Sequence, residues 1–300
     1  MNRVRRGTPS SDAYLDLQNE ARRTGRPTQE LLQLYVLEGF LARLAASQIK
    51  GTFVLKGGVL LAAFGSRRPT KDVDLAGINL ENDTHTVLEL VRSVLAADPI
   101  PEDGIEFVAA TVTAEVIREE DLYSGVRVHI EAYLAGARLP FHVDVNVGDP
   151  IWPAPMTVAV PRLRGGEPIE LPGYPVHMVH AEKIVTAIQR GIANTRWRDF
   201  GDIWSLARQH HTSAGDLRQA INEVAAYRNA TIRPLAQVLD GYVELAQARW
   251  LQWRRRSNSD HLPEHFEVVL QTVIGFADPV LTDETPGRRW DPTTRAWTWA

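Results

Sequence analysis

The chain has 300 residues, of which 44% are hydrophobic and 23% are charged, and its formal net charge is -4. This balance is typical of a globular protein and argues against wholesale disorder. The small negative charge does not indicate a general polyanion binder, so any contact with nucleic acid must come from a local basic patch. Cysteine is absent, so disulfides and thiolate metal sites are excluded, and any metal must be held by oxygen or imidazole. The length favours a core domain with a helical extension.

No part of the sequence predicts a membrane span. No apolar run approaches the roughly 20 residues that cross a bilayer, and the start MNRVRRGTPSSDAYLD lacks the apolar stretch of a signal peptide. We therefore expect a cytoplasmic protein that does not bind membranes.

The N-terminal part of the chain predicts a helical segment and then a strand. Residues 1–27 are polar and rich in arginine, and Thr28 is placed to cap a helix of leucines at helical spacing. The apolar run Phe53-Val54-Leu55 then stops at Lys56-Gly57-Gly58 before further apolar residues. This order predicts a strand, a tight glycine turn and a helix.

Acidic residues alternate with apolar ones further along the chain. Asp72 and Asp74 alternate with Val73 and Leu75, which predicts a strand with one acidic face. Asp144 alternates with valines in the same way, on a face that includes His142 and Asn146. The elements predicted after the first acidic strand are a helix and a hairpin of two strands, over residues 83–97, 126–134 and 141–147.

The second half of the chain reads as mainly helical. Residues 148–175 are rich in proline and glycine and predict an irregular link. Five helices are predicted after it, over residues 177–190, 198–210, 213–227, 235–256 and 264–276. Residues 283–300 predict an irregular tail whose tryptophans pack onto another part of the chain. We therefore expect three parts, namely a helical segment (1–49), an α/β core (50–150) and a mainly helical domain (151–300).

The acidic strands predict a metal site. Carboxylates two apart on a strand point the same way, with α-carbons about 7 Å apart. Asp72 and Asp74 can therefore converge on Mg²⁺, which prefers oxygen ligands, and Asp144 from a neighbouring strand can complete the site. The alternative for an isolated Asp-x-Asp is a solvated strand edge or a turn.

The glycine turn upstream strengthens the metal hypothesis. Gly57 and Gly58 let the backbone approach a ligand closely, and N–H groups at a helix start suit a phosphate. Lys56 adds a positive charge, and it is one of only four lysines in an arginine-rich chain, with Lys50, Lys71 and Lys183. A glycine turn alone is more often only a turn.

These motifs resemble a known family. The segment from Phe53 to Leu61, followed by Arg67 to Leu75, resembles the AbiEii/MenT nucleotidyltransferase toxins, a branch of the DNA polymerase beta-like nucleotidyltransferases. Tyr174 to Lys183 resembles the second motif of that family, and Arg198 to Ile203 resembles its third, Asp-x-x-Asp. The resemblance spans roughly residues 50–205.

The resemblance implies an α/β fold, in which a DNA polymerase beta-like core with a mixed sheet precedes a C-terminal helical domain. It implies that the metal is held at the acidic strands, and that Asp199 or Asp202 positions or activates the acceptor. Thr70 stands where many relatives have serine, and it keeps the hydroxyl group. The residues expected to bind the nucleotide are Lys56, Gly57, Gly58, Thr70, Lys71 and Lys183.

The same resemblance implies a toxin of a toxin–antitoxin pair, with a nucleoside triphosphate as substrate and a cognate antitoxin as partner. The expected reaction uses Mg²⁺ and adds a nucleotide to RNA, at the 3′ end of tRNA, which would block aminoacylation and growth. Transfer to a small molecule or a protein is one alternative. A nucleotide-binding module without catalysis is another.

Structural roles compete with function in the helical half. Lys183 could lie on a solvated helix face, and Asp199 or Asp202 could pair with Arg196 or Arg198. Likewise, a structural histidine is the simpler interpretation of His142. The basic and aromatic cluster Arg249, Trp250, Trp253, Arg254, Arg255 and Arg256 could bind RNA, but it could equally be a packed helix end.

Overall fold

The computed structural model describes residues 4–97, 102–119 and 123–299. Residues 1–3 of the predicted helical segment and residue 300 of the predicted tail lie outside the described residues. The chain divides into two compact units. Unit 1 comprises Met1–Gly148 and Met156–Gly173, and unit 2 comprises Asp149–Pro155 and Tyr174–Ala300.

Unit 1 is a mixed sheet with helices. Its helices are α1 (Pro9–Thr24), α2 (Thr28–Ala46), α3 (Gly57–Leu60) and α4 (Thr84–Leu95). Its strands are β1 (Phe53–Lys56), β2 (Asp72–Gly77), β3 (Glu106–Phe107), β4 (Thr113–Glu119), β5 (Tyr123–Ile130), β6 (Ala132–Leu134), β7 (Ala137–Arg138), β8 (Phe141–Val147), β9 (Met156–Val160) and β10 (Ile169–Gly173). Seven strands form the main sheet in the order β4-β5-β8-β2-β1-β10-β9, and β2/β8 and β1/β10 are its parallel pairs.

Alternation along the central strands separates an apolar face of the sheet from a polar one. Val73, Val143 and Val145 are fully buried, and α4 packs against the neighbouring strands β4 and β5. The residues between these valines point to the opposite face and include the aspartates of β2 and β8. The α/β fold class and the mixed sheet are therefore confirmed.

Three local predictions for unit 1 are corrected. Thr28 is the first residue of α2 rather than its cap, because Pro27 precedes the helix and makes no side-chain cap. The predicted hairpin does form between β5 and β8, but its first strand ends at Ile130, and residues 132–134 join a separate small sheet. The expected link at 148–175 contains β9 and β10, because alternate apolar residues such as Val158 and Leu171 are buried against the sheet edge.

Unit 2 is mainly helical, as the fold class predicted. Its elements are α5 (Val176–Arg190), α6 (Trp197–Ala207), α7 (Ala214–Tyr227), α8 (Leu235–Val238), α9 (Tyr242–Arg256), α10 (Phe266–Leu281) and the strands β11 (Thr212–Ser213), β12 (Arg288–Asp291) and β13 (Ala296–Trp299). Its core includes Phe266, which makes edge-to-face contacts with Trp197, Phe200 and Tyr242. None of the helices in the described part of the chain has the length and apolar character needed to cross a membrane.

Two predictions for unit 2 differ from the structure. The helix expected over 235–256 is divided into α8 and α9, because Gly241 takes a left-handed conformation with φ 69°. The tail expected to be irregular contains β12 and β13. Trp290 anchors it, since its ring packs edge-to-face on Phe276 and its indole N–H donates to the carbonyl of Ala207 at 2.6 Å.

The basic and aromatic cluster at the end of α9 is largely part of the packing of unit 2. Trp250 is fully buried and donates to the carbonyl of Pro263, and its ring centroid lies 5.1 Å from that of Trp253. Arg254 donates to the carbonyls of Leu262 and Asp260. Its other arginines, Arg249, Arg255 and Arg256, are exposed.

His180 on α5 predicts an acid-sensitive unit 2. The side chain is fully buried against Phe276, and neither ring nitrogen has a hydrogen-bond partner in the described structure. Burial, reinforced by the charges of His177 and His210, lowers the pKa of His180 to about 3. The neutral form therefore stabilises the fold above the unfolded-state pKa of about 6.5, and this stability is lost as pH falls towards 3, by at most about 1.4 kcal/mol per pH unit.

We expect His180→Leu to flatten the loss of stability between pH 6.5 and 4.5. Urea unfolding at several pH values measures it. His85→Leu, at an exposed site on α4, is the control and should keep the wild-type profile. An unchanged acid profile in His180→Leu would show that other groups cause the sensitivity.

Candidate active site

The pairing of β2 with β8 brings the predicted carboxylates onto one face of the sheet. Asp74 lies opposite Asp144, and Asp72 lies opposite His142. On the other side of β2, Lys56 at the end of β1 is the register partner of Asp74. The sheet thus forms a row of charged side chains from three adjacent strands, in which the two neighbouring carboxylates of Asp74 and Asp144 follow the ammonium group of Lys56.

Asp74 lies against the glycine turn. The N–H of Gly58 donates to its carboxylate at 3.4 Å. Burial of the carboxyl group and the negative charge of Asp72 raise the pKa of Asp74 to about 7, while Lys56 acts in the opposite direction. A carboxylate enclosed beside another carboxylate is an electrostatically unfavourable arrangement that a bound cation would relieve.

Gly57 can be replaced by no other residue without moving Asp74. Its φ is +67°, and an added β-carbon would lie 1.8 Å from the Asp74 carboxylate oxygen. Gly25 provides a matched control, because its φ is +70° and nothing lies within 4 Å of an added β-carbon. We expect Gly25→Ala to cost about 1 kcal/mol of unfolding free energy and Gly57→Ala about 1–2 kcal/mol more, measured by urea unfolding. Equal losses would contradict this close contact.

Thr70 and the two nearby lysines differ in their surroundings. The buried Thr70 hydroxyl donates to the carboxylate of Asp72. Lys56 is also buried, whereas Lys71 is exposed. His142 is close to the same group, with its Nε2 3.9 Å from an Asp72 oxygen, and partial burial lowers the pKa of His142.

Asp144 is held by a residue that the sequence did not single out. Arg127 on β5 donates from Nε and Nη2 to the two oxygens of Asp144, at 2.8 and 2.7 Å. These hydrogen bonds, reinforced by the negative charge of Asp144, raise the pKa of Arg127. The signal was present in the alternation Val126-Arg127-Val128, which puts the arginine on the polar face, but its partner depends on strand register.

In unit 2 the three predicted residues form one ion-pair cluster. Lys183 Nζ on α5 lies 2.8 Å from an oxygen of Asp199 and 2.8 Å from an oxygen of Asp202, both on α6. Their side chains are only 14%, 12% and 5% exposed. Lys183 is therefore not on a solvated face. It forms an ion pair with each of the two aspartates, for which the sequence offered Arg196 or Arg198 as partners.

The acidic pair of β2 fits a magnesium ion better than the full set of three aspartates does. Within residues 4–97, 102–119 and 123–299, no group of three or more histidine, aspartate or glutamate side chains is arranged to hold a metal. Both oxygens of Asp144 are bonded to Arg127. Asp72 and Asp74 still offer neighbouring carboxylates, and Mg²⁺ commonly takes one or two carboxylates and fills its other positions with water and substrate phosphates.

Solved structures share this fold. A candidate nucleotidyltransferase from H. pylori superposes with a TM-score of 0.51 at 14% identity, covering 85% of this chain and 97% of its own. JHP933 from Helicobacter pylori gives a TM-score of 0.50 at 13% identity, covering 84% of this chain and 95% of its own. At such low identity these similarities concern the fold alone. No curated protein sequence matches the chain.

The sequence profile of the family described as "Nucleotidyl transferase AbiEii toxin, Type IV TA system" matches residues 39–272, which is more than half of the chain. The match includes the glycine turn, both acidic strands and the Lys183 cluster. It confirms the expected enzyme class and implies a nucleoside triphosphate substrate and an antitoxin partner. The chain belongs to the AbiEii nucleotidyltransferase toxin family of type IV toxin–antitoxin systems.

Proposed function

We propose that this nucleotidyltransferase uses magnesium to transfer a nucleoside monophosphate from a nucleoside triphosphate to the 3′ end of an RNA, with tRNA as the acceptor. The observation that carries the proposal is the contact of Asp74 with Gly58 beside Asp72. It combines a pair of carboxylates with a glycine turn, which together suit a metal-bound triphosphate.

The nucleotide side of the site consists of groups around the glycine turn. Gly57 and Gly58 carry no side chain, which lets Asp74 and Thr70 lie directly against the turn. The phosphates would bind beside this contact, at the backbone N–H groups where the helix begins. Lys56 and Lys71 supply positive charge for the phosphates. Thr70 holds Asp72 through its hydroxyl and thereby keeps one carboxylate in a fixed orientation.

Asp72 and Asp74 are the residues that would hold the magnesium ion. When bound, the ion neutralises charge on the transferred phosphate and on the pyrophosphate leaving group. Asp74 has to be ionised to serve as a ligand, and its raised pKa means that cation binding and proton release are linked.

The roles of the unit 2 cluster stay predictions. The family resemblance assigns Lys183 to the nucleotide phosphates and one of Asp199 and Asp202 to the acceptor hydroxyl. Lys183 pairs with both aspartates, so replacing any one of the three side chains alters the surroundings of the other two. This coupling supports a shared role. Modification of a tRNA 3′ end would block aminoacylation, and the cognate antitoxin would prevent it.

The proposal is tested by incubating the protein with each α-labelled nucleoside triphosphate, Mg²⁺ and total RNA. We expect one RNA size class, that of tRNA, to be labelled by the wild type and not by Asp72→Asn. Label on protein or on an added small molecule, with unlabelled RNA, would instead support a different acceptor. Toxicity that survives Asp72→Asn in cells would support a binding module without catalysis.

A further inference from the structure

Arg127 and Asp144 form a two-point ion pair at the edge of the candidate site. The fork of Arg127 meets both carboxylate oxygens at 2.8 and 2.7 Å, and the two residues are direct register partners on β5 and β8. The Asp144 side chain is 10% exposed. Such a pair fixes the plane and direction of the guanidinium.

The pair leaves part of the guanidinium available. Arginine has five N–H donors, and Asp144 takes one from Nε and one from Nη2. The Arg127 side chain is 32% exposed, so the outer edge of the fork can be reached from solvent. A fork with one edge anchored and the other open is suited to a phosphate, which accepts two parallel hydrogen bonds.

The strand order puts Arg127 on the side of the acidic pair away from the glycine turn. β1, which ends at that turn, flanks β2 on one side, whereas β8 and then β5 lie on the other. With adjacent strands about 4.8 Å apart, Arg127 lies about 10 Å across the sheet from Asp74, and Lys56 lies one strand away in the opposite direction. If the triphosphate binds at the glycine turn, the acceptor that attacks it would therefore approach from the side of the sheet where Arg127 lies.

We propose that Arg127 binds a backbone phosphate of the polynucleotide acceptor, next to its terminal hydroxyl, and that Asp144 is the positioning residue that holds Arg127 in place. This inference rests on the proposed function, because it requires a nucleic-acid acceptor. It assigns Asp144 to the arginine rather than to the metal, because Arg127 donates to both of its oxygens and balances its charge.

The binding half of the proposal is tested with purified tRNA in EDTA, without nucleotide. We expect Arg127→Gln to bind tRNA about 5- to 20-fold more weakly than the wild type. The slope of the logarithm of the binding constant against the logarithm of the salt concentration should become shallower by about one. Arg127→Lys should also bind more weakly, because it keeps the charge and loses the fork. Arg23→Gln is the matched control, since it removes an exposed arginine that is also paired two-fold with a carboxylate, Glu20.

The positioning half is tested by the kinetics of transfer. Arg127→Gln and Asp144→Asn should raise KM for tRNA, leave KM for the nucleoside triphosphate within about 2-fold, and combine without additivity in the double variant. The magnesium concentration for half-maximal rate should be unchanged in all three. If Asp144→Asn needs more magnesium than the wild type, both as a single variant and together with Arg127→Gln, then Asp144 is a metal ligand. This result would overturn its positioning role.

The outcomes separate this inference from the function on which it rests. A wild type that labels tRNA, together with Arg127 variants that bind and use tRNA as the wild type does, overturns the inference alone. A wild type that transfers nucleotide to no RNA overturns both. Binding loss equal to that of Arg23→Gln would show that only general charge is involved, and this also overturns the inference.

Discussion

Asparagine in place of Asp72 or Asp74 is expected to lower the rate of nucleotidyl transfer by about 10²- to 10⁴-fold, equivalent to roughly 3–5 kcal/mol of transition-state stabilisation. Each change removes one of the two carboxylates that lie beside the glycine turn. The rate of label transfer from an α-labelled nucleoside triphosphate measures the effect. Glu89→Gln, on an exposed part of α4, should keep the wild-type rate.

The same Asp74 variant should gain stability while it loses activity. The pKa of Asp74 is raised to about 7 by burial and by Asp72, above the unfolded value near 3.9. This carboxyl group therefore favours the fold most below pH 3.9, and its contribution is lost as pH rises through 7. Without divalent ions, Asp74→Asn should have a higher Tm than the wild type at pH 8, by about 2–4 °C for each kcal/mol of unfolding free energy gained. At pH 4 the two proteins should have nearly the same Tm. A lower melting temperature at pH 8 would contradict this electrostatic account.

Lys183→Met is expected to destabilise unit 2 by about 3 kcal/mol, because it removes a cation that lies between two largely buried carboxylates. Asp199 and Asp202 both lie 2.8 Å from Lys183 Nζ, and all three side chains are largely buried. Urea unfolding measures the loss. Lys50→Met, at an exposed position, should be near neutral.

A combined variant separates structure from catalysis in this cluster. Replacing Lys183, Asp199 and Asp202 together by apolar residues of similar size should recover much of the stability lost in Lys183→Met, since no charge remains buried. Recovery of stability without recovery of transfer would support a role in the reaction. If Lys183→Met is as stable as the wild type, the ion pairs contribute little to the fold of unit 2.

The acidic strands and the glycine turn could be predicted because their signals are local. Asp72 and Asp74 alternate with buried residues, and the turn follows a short apolar run. The closeness of the glycine turn to the two aspartates could be expected once both segments were placed in one sheet. Arg127 could not be found in this way, because its pairing with Asp144 depends on the register between β5 and β8, which the predicted hairpin does not specify.

Three of the strands that the sequence did not predict share a physical cause. β9, β10 and β12 lie in segments interrupted by proline or glycine, and each is only four or five residues long. Short strands acquire their stability from partners distant in sequence, such as β1 for β10. The single helix expected over 235–256 failed for a different reason, because apolar spacing continues across Gly241 while the backbone turns there.

The most direct test of the central claim compares two positions of label in the same nucleoside triphosphate. With Mg²⁺ and total tRNA, the wild type should place α-phosphorus label in RNA and release γ-phosphorus label as pyrophosphate in equal amount, and Asp74→Asn should do neither. Label from the γ-phosphorus in the acceptor, or phosphate release without α-label in any acceptor, would contradict nucleotidyl transfer by the acidic pair beside the glycine turn.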